Sequence, residues 1–103
     1  MTTGAASGTF VAAGEGWQFQ GVLAFDDAMS VVEAARSLPL PNSGIVDLAG
    51  LVHADSSALA VMFALRRRAS AEGHDDLRFT NVPPVLDSLA RVYGVEHLIA
   101  EVP

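Results

Sequence analysis

The sequence predicts an α/β domain: a mixed sheet of four to five strands with crossover helices. Three observations carry that expectation. After an initial hairpin, strand-like and helix-like patterns alternate in the order ββαβαβα, and such alternation implies helices that cross between strands of one sheet. Proline and glycine stand where each helix has to begin or stop. Half of the 103 residues are apolar and 17% are charged, which supplies an ordinary core and is too apolar for a disordered chain. The length favours one folded unit, expected over residues 9–103 behind a flexible N-terminus over 1–8.

The elements follow in order. Met1 to Gly8 are small and polar and are expected to fray. "TFVAAG" (Thr9 to Gly14) reads as a first strand, with Glu15-Gly16 as the hairpin turn before "WQFQGVLAF". In that second strand Trp17, Phe19, Gly21, Leu23 and Phe25 share one parity, which predicts one face on the core and a bulge at Gly21. Asp26 or Asp27 can cap a helix through "DDAMSVVEAARSL", where Met29, Val32 and Ala35 or Arg36 follow helical spacing. Pro39 and Pro41 stop it. "SGIVDLAG" is the third strand, and Ile45-Val46 with Leu48 suits a central position. From Ser56 or Ser57 a helix runs to about Glu72 and ends at Gly73, a left-handed residue past its C-terminus. "DLRFTNV" gives the fourth strand, alternating Leu77, Phe79 and Asn81. "NVPPVLDSLARVYG" is a third helix, with proline near its first position, Gly94 after its end, and an apolar stripe of Val85, Leu86, Leu89, Val92 and Tyr93. "VEHLIAEVP" reads equally as a short last strand or a helical turn.

Composition removes several classes of function. The formal charge of −6 argues against nucleic acid as a partner, because phosphate affinity needs a basic face to displace counterions. Arg66, Arg67 and Arg68 form the one basic cluster, too short to reverse that balance. With no cysteine, disulfides, thiolate chemistry and cysteine-ligated zinc are excluded. "MTTGAASGTF" lacks a basic region followed by a long apolar one, and no apolar run reaches the ~18 residues of a membrane span. The expectation is a cytoplasmic protein with no direct membrane insertion.

Catalytic patterns also fail. His53, His74 and His97 lie far apart, with no two at the i, i+4 spacing that presents two imidazoles on one helical face. Surface histidines explain them. Ser57, His53 and Asp55 hold the ingredients of a nucleophilic triad, yet the G-x-S-x-G elbow is missing and neighbours on a strand-to-helix turn rarely point at one another productively. Gly14 and Gly16 make a lone G-x-G in a hairpin, without the strand-to-helix context that aims amides at a phosphate. Capping and solubility account for Asp26-Asp27 and Asp75-Asp76 without a metal. No enzyme activity, metal or cofactor is expected.

The second helix holds the strongest functional signal. At 100° per residue, Ala58, Met62, Leu65 and Ala69 gather on one side with Val61 at its edge, a core stripe. The opposite side collects Ser56, Ala60, Phe63, Ala64, Arg67 and Ser70. A solvated face should carry Glu, Lys and Gln; this one carries alanines and a phenylalanine. Two explanations compete: the first half of the helix is buried all round within its own domain, or the face receives a partner. In the second case small residues admit another backbone, Phe63 anchors it, and Arg67 pairs with a carboxylate on the rim. Ser56 opens this face, whereas Ser57 lies about 100° around from it. Asp55 can order the strand-to-helix loop by accepting backbone amides or act as a simple cap.

"IVDLAGLVHADSSALAVMFALRRRA" resembles the STAS domain signature: a strand ending in Asp-Leu, a short loop, an aspartate with two hydroxyls, then an apolar helix. "LRFTNVPPVLDSLARVYGVEHLI" resembles the closing strand and helix of the same family, so the likeness spans roughly Thr9 to Ile99. It implies the STAS, anti-sigma factor antagonist-like fold. Two branches of the family bear on function. In the anti-sigma factor antagonists a partner kinase phosphorylates a serine, and Ser57 matches that position. In the small cytosolic STAS subunit of Mla-type ABC transporters, which move phospholipids between membranes, the first hydroxyl, here Ser56, sits at the contact with the ATPase subunit. "DSSALA" and the "W-x-F-x-G-x-L-x-F" second strand are similar to the transporter branch, and Ala58 stands where the antagonists more usually have glycine. The resemblance thus implies a non-enzymatic subunit that supports an ABC ATPase, with the permease in the same complex, peripheral at the inner membrane. Its partner face would comprise Asp55, Ser56, Ala60, Phe63 and Arg67. The alternative is an antagonist switched at Ser57 by an anti-sigma factor kinase, and a third reading is a module that binds a nucleotide or other small ligand near the same helix start.

Overall fold

Side-chain alternation in the strands and a one-sided apolar stripe on each helix lead to a sheet whose helices pack on one face. The computed structural model describes residues 8–74 and 76–98. β1 (Thr9–Ala13) and β2 (Gly16–Leu23) form an antiparallel hairpin; β2 runs parallel to β3 (Ile45–Ala54), and β3 parallel to β4 (Arg78–Thr80). The order across the sheet is β1-β2-β3-β4. α1 (Ala28–Ala35) and α2 (Ser57–Ala71) make the two parallel crossovers, and α3 (Pro84–Val92) follows β4. A 3-10 turn over Glu96–Leu98 comes next, so the closing segment begins as a helical turn; the rest of it, residues 99–103, lies outside the described residues, as do the predicted fraying of residues 1–7 and Asp75.

One face of the sheet carries Phe10, Trp17, Phe19, Leu23, Val46, Leu48 and Phe79, all buried, while Gln18 and Gln20 between them stay exposed. The helices cover the apolar face. The Phe10 ring meets Phe19 edge-on at 4.9 Å between centroids and Trp17 at 5.6 Å, an arrangement that adds to the gain from burial. α2 contributes Ala58, Val61, Met62, Leu65 and Ala69, the stripe expected from the sequence, together with Leu59.

Two glycines shape the middle of the sheet. The β2–β3 register shifts on either side of Phe19 and again at Gly21, whose φ of 111° is open to glycine and strained for other residues. A Cβ on Gly50 would come within 2.5 Å of the Phe19 carbonyl oxygen, so the bulge depends on backbone approaching backbone there.

Several expectations need correction. The hairpin turn falls at Gly14-Glu15, one residue earlier than expected, because Gly16 already pairs with Ala13 and Gly14 takes the left-handed φ of 62°. The first strand begins at Thr9, as expected; before it, Gly8 is buried and its amide donates to the Val22 carbonyl at 2.8 Å. β3 runs four residues past Gly50, to Ala54. Phe25 does not continue the β2 parity: the strand ends at Leu23, and Phe25 is 79% exposed. α1 spans Ala28–Ala35 rather than continuing to Leu38, and it turns Val31 and Ala35 inward, which leaves Met29 77% exposed. α3 buries Leu86 and Ala90 while Val85, Val92 and Tyr93 face outward. Asn81, expected to continue the β4 alternation, is exposed with φ of 55° and ends the strand; asparagine tolerates that conformation better than most residues.

The arginine run separates into three roles. Arg66 lies over the Phe79 ring at 5.9 Å, and Arg67 is exposed. Arg68 turns inward against α1. Its Nη1 donates to the Ala35 carbonyl at 3.0 Å, its Nη2 to the Leu38 carbonyl at 2.6 Å, and its Nε to Glu72 at 3.1 Å. Its guanidinium also lies 5.8 Å from the Trp17 ring centroid, and the Trp17 indole donates to the Pro39 carbonyl at 3.1 Å. Carbonyls at and just past the end of a helix have few intrahelical donors; Arg68 donates to that of Ala35, which also takes the Leu38 amide, and to that of Leu38, and so fastens α1 to α2. Arg68→Gln should therefore lower the unfolding free energy by about 1.5–3 kcal/mol, the range for hydrogen bonds to a charged group. Arg67→Gln should stay within about 0.5 kcal/mol of the parent, as exposed substitutions do. Urea denaturation of the two variants decides the matter, and equal losses would contradict the division of roles.

Candidate functional site

The site is built where β3 gives way to α2. Asp55 follows the last residue of β3, and its two carboxylate oxygens reach in different directions. Oδ2 accepts the amide of Phe25 at 3.0 Å, at the exit of β2, while Oδ1 accepts the amide of Ser57 at 2.9 Å and also the Ser57 hydroxyl. The Asp55 amide completes the tie by donating to the Leu23 carbonyl at 3.3 Å. Asp55 thus orders the loop by accepting amides, the first of the two roles open in the sequence. The Ser57 hydroxyl, then the Ser57 amide, hold its carboxyl below the usual carboxylate range; partial desolvation opposes them, and the Phe25 amide and nearby His53 help.

The two serines separate. Ser56 occupies the N-cap position of α2, yet its side chain makes no capping hydrogen bond and is exposed. Ser57 is half-buried, with its hydroxyl committed to Asp55. Orienting the start of α2 therefore falls to the aspartate, which leaves the Ser56 hydroxyl directed at solvent. A Ser–His contact is also missing: the Ser57 hydroxyl donates to the carboxylate, and His53 makes no hydrogen bond to it among the described residues. No group of three or more His, Asp or Glu suited to a metal occurs among the described residues.

Beyond the first turn, the outward face of α2 is open. Ala60 and Arg67 are exposed, Phe63 is 37% exposed, and Ala64 is half-buried. This excludes burial of α2 all round within its own domain. Ser56, Ala60 and Phe63 line one shallow groove with Leu59, Tyr93 and Val95. On the other flank, Ala60 and Val61 border a groove with Met29 and Val32 of α1. An apolar band therefore runs from Met29 across Ala60 and Phe63 to Tyr93. Arg67 stands apart from Ser56 and Phe63, further along α2 in a third groove with Arg36.

Sequence reasoning assigned Phe25, Met29 and Tyr93 to the core by periodicity. The signal for their exposure was weak but present: Gly21 breaks the strand parity, and Tyr93 directly precedes the Gly94 helix stop. No helix among the described residues is long and apolar enough to cross a membrane.

Residues 18–100 match a family model described as "Mlab, STAS domain". No curated protein matches the chain.

The lowered Asp55 pKa sets the sign of a pH effect. A carboxyl whose folded pKa lies below its unfolded value stabilises the fold fully above the unfolded value, and that contribution is lost as pH falls through the folded one. The urea midpoint of the parent should consequently fall more steeply than that of Asp55→Asn as pH drops from about 5 to about 2. Parallel curves would mean that the Asp55 network contributes nothing to folding.

Proposed function

The chain belongs to the STAS domain family, whose fold its four-stranded mixed sheet and three helices fit, and on that premise we propose that it is a non-enzymatic subunit that binds and supports the ATPase of a phospholipid-trafficking ABC transporter. The observation that carries this reading is the uncovered apolar band around the first half of α2. Phe63 and Ala60 are flanked by Met29 and Tyr93, and the unengaged Ser56 stands at one end. Solvent-facing aromatic and methionine side chains grouped in this way, here Phe63, Tyr93 and Met29, are characteristic of the centre of a protein interface. Asp55 acts from behind, by fixing the direction in which α2 leaves the sheet. A subunit of this kind influences an ATPase by binding one of its conformations better than another. It would sit at the inner membrane only through the permease and ATPase of the complex.

Phosphorylation of Ser57 by an anti-sigma factor kinase is the competing reading. The Ser57 hydroxyl is half-buried against Asp55, so a phosphate carrying about −1.5 to −2 charges would be set against a carboxylate and would break the loop tie. That would be a strong switch, but it needs a hydroxyl first released from its partner. The exposed and unengaged Ser56 supports the transporter reading instead.

Co-purification separates the two. The ATPase complex is expected to survive Ser57→Ala and to be lost on Ser56→Arg or Phe63→Glu, each checked for an unchanged thermal melt. Stoichiometric phosphorylation of Ser57 accompanied by release of a bound kinase would establish the antagonist instead. Hydrolysis that depends on Ser57 and His53 would overturn both.

A further inference from the structure

The face described above leaves the other half of α2 unused. Beyond Ala60 a groove of about 540 Å³ lies between the two helices, bordered by Val32 and Arg36 of the α1 side and by Ala64, Arg67 and Ala71 of α2. We infer that this groove receives a second segment of the same protein partner, one whose apolar side chain is flanked by carboxylates. The inference rests on the partner reading of the α2 face and extends it.

Charge argues for the occupant. The chain carries −6 overall and has only six Lys and Arg residues, so most of its surface repels an acidic segment. Arg36, Arg67 and Arg68 all border this groove. Arg68 is committed to the α1 carbonyls and to Glu72, which also neutralises the acid at that end. Arg36 lies 3.8 Å from Glu33 with its side chain 68% exposed, a pairing of little energetic weight in solvent. Arg67 makes no hydrogen bond or ion pair among the described residues. Two guanidiniums, one just past the end of α1 and one on α2, thus line the groove together with Val32, Ala64 and Leu65. A free anion would use the cations and leave that lining wet. A segment that supplies both carboxylates and an apolar side chain satisfies both, as in helix-in-groove and acidic-motif recognition.

Position argues that the same partner supplies it. The groove joins the one lined by Met29 and Ala60 through Val32 and Arg36, which border both. A partner seated on Phe63 and Ala60 has a continuous path along α2 to Arg67.

Hydrogen exchange of the full chain, alone and in complex with the co-purified ATPase, tests this. Protection is expected over residues 32–36 and 64–72 as well as over 56–63. The double substitution Arg36→Gln with Arg67→Gln should weaken the complex roughly tenfold and flatten its salt dependence, without altering the melt of the free chain. Protection confined to 56–63, with affinity unchanged in the double variant, overturns the groove proposal and leaves the partner reading standing. Failure of any ATPase to bind the parent chain removes both. Concentration-dependent protection of the groove in the free chain would identify a second copy as the occupant, and an equal loss of protection in chloride and in phosphate controls at matched ionic strength is expected. Selective loss in phosphate would identify a simple anion site; that result, or concentration-dependent protection of the free chain, overturns the proposal.

Discussion

The Asp55 carboxylate holds two chain segments, at Phe25 and at Ser57, that are distant in the chain. One oxygen accepts the amide of Phe25 where β2 ends, and the other accepts the amide and hydroxyl of Ser57 where α2 begins. Because β2 and β3 are parallel neighbours, their C-terminal ends lie side by side, and a short acidic side chain at the end of one can reach the loop leaving the other. The link aims α2 back across the apolar face of the sheet. It also explains why the side chain at the N-cap position, Ser56, is free of the duty that N-cap residues commonly carry.

The second fastening is at the opposite end of α1. Arg68 donates to the carbonyls of Ala35 and Leu38 and lies over Trp17, which itself holds Pro39. One carboxylate and one guanidinium therefore set the placement of both crossover helices. With α1 held at its C-terminal end, its N-terminal turn presents Met29 to solvent beside Ala60. The exposed apolar band is a consequence of these two ties as much as of the residues that compose it.

In this STAS domain one face of α2 is left uncovered. The hydroxyl and carboxylate nearest each other are engaged in holding the fold, and the apolar side chains around them are turned outward. Three of the six arginines, Arg66, Arg67 and Arg68, fall in the second half of α2, while Asp26 and Asp27 precede α1 and Asp55 precedes α2.

The sequence by itself determined the order ββαβαβα, the helix stops at Gly73 and Gly94, and the inward stripe of α2 from Ala58 to Ala69, because these depend on local backbone preference and on the 3.6-residue period. It also marked Ala60 and Phe63 as out of place on a solvated face, and it separated Ser56 from Ser57 by direction. Which of the serines is engaged follows from a local contact, Asp55 accepting from Ser57 two residues on; only the tertiary structure decided that the same carboxylate also takes the amide of Phe25. It alone decided that Phe25, Met29 and Tyr93 lie outside, because a bulge at Gly21 and the rotation of each helix against the sheet select among apolar positions that periodicity treats as equal. Arg66, Arg67 and Arg68 are identical in type and adjacent in sequence, yet their different roles come from what α1, Phe79 and solvent place around them. Packing between elements distant in the chain makes those distinctions, and no local pattern contains that information.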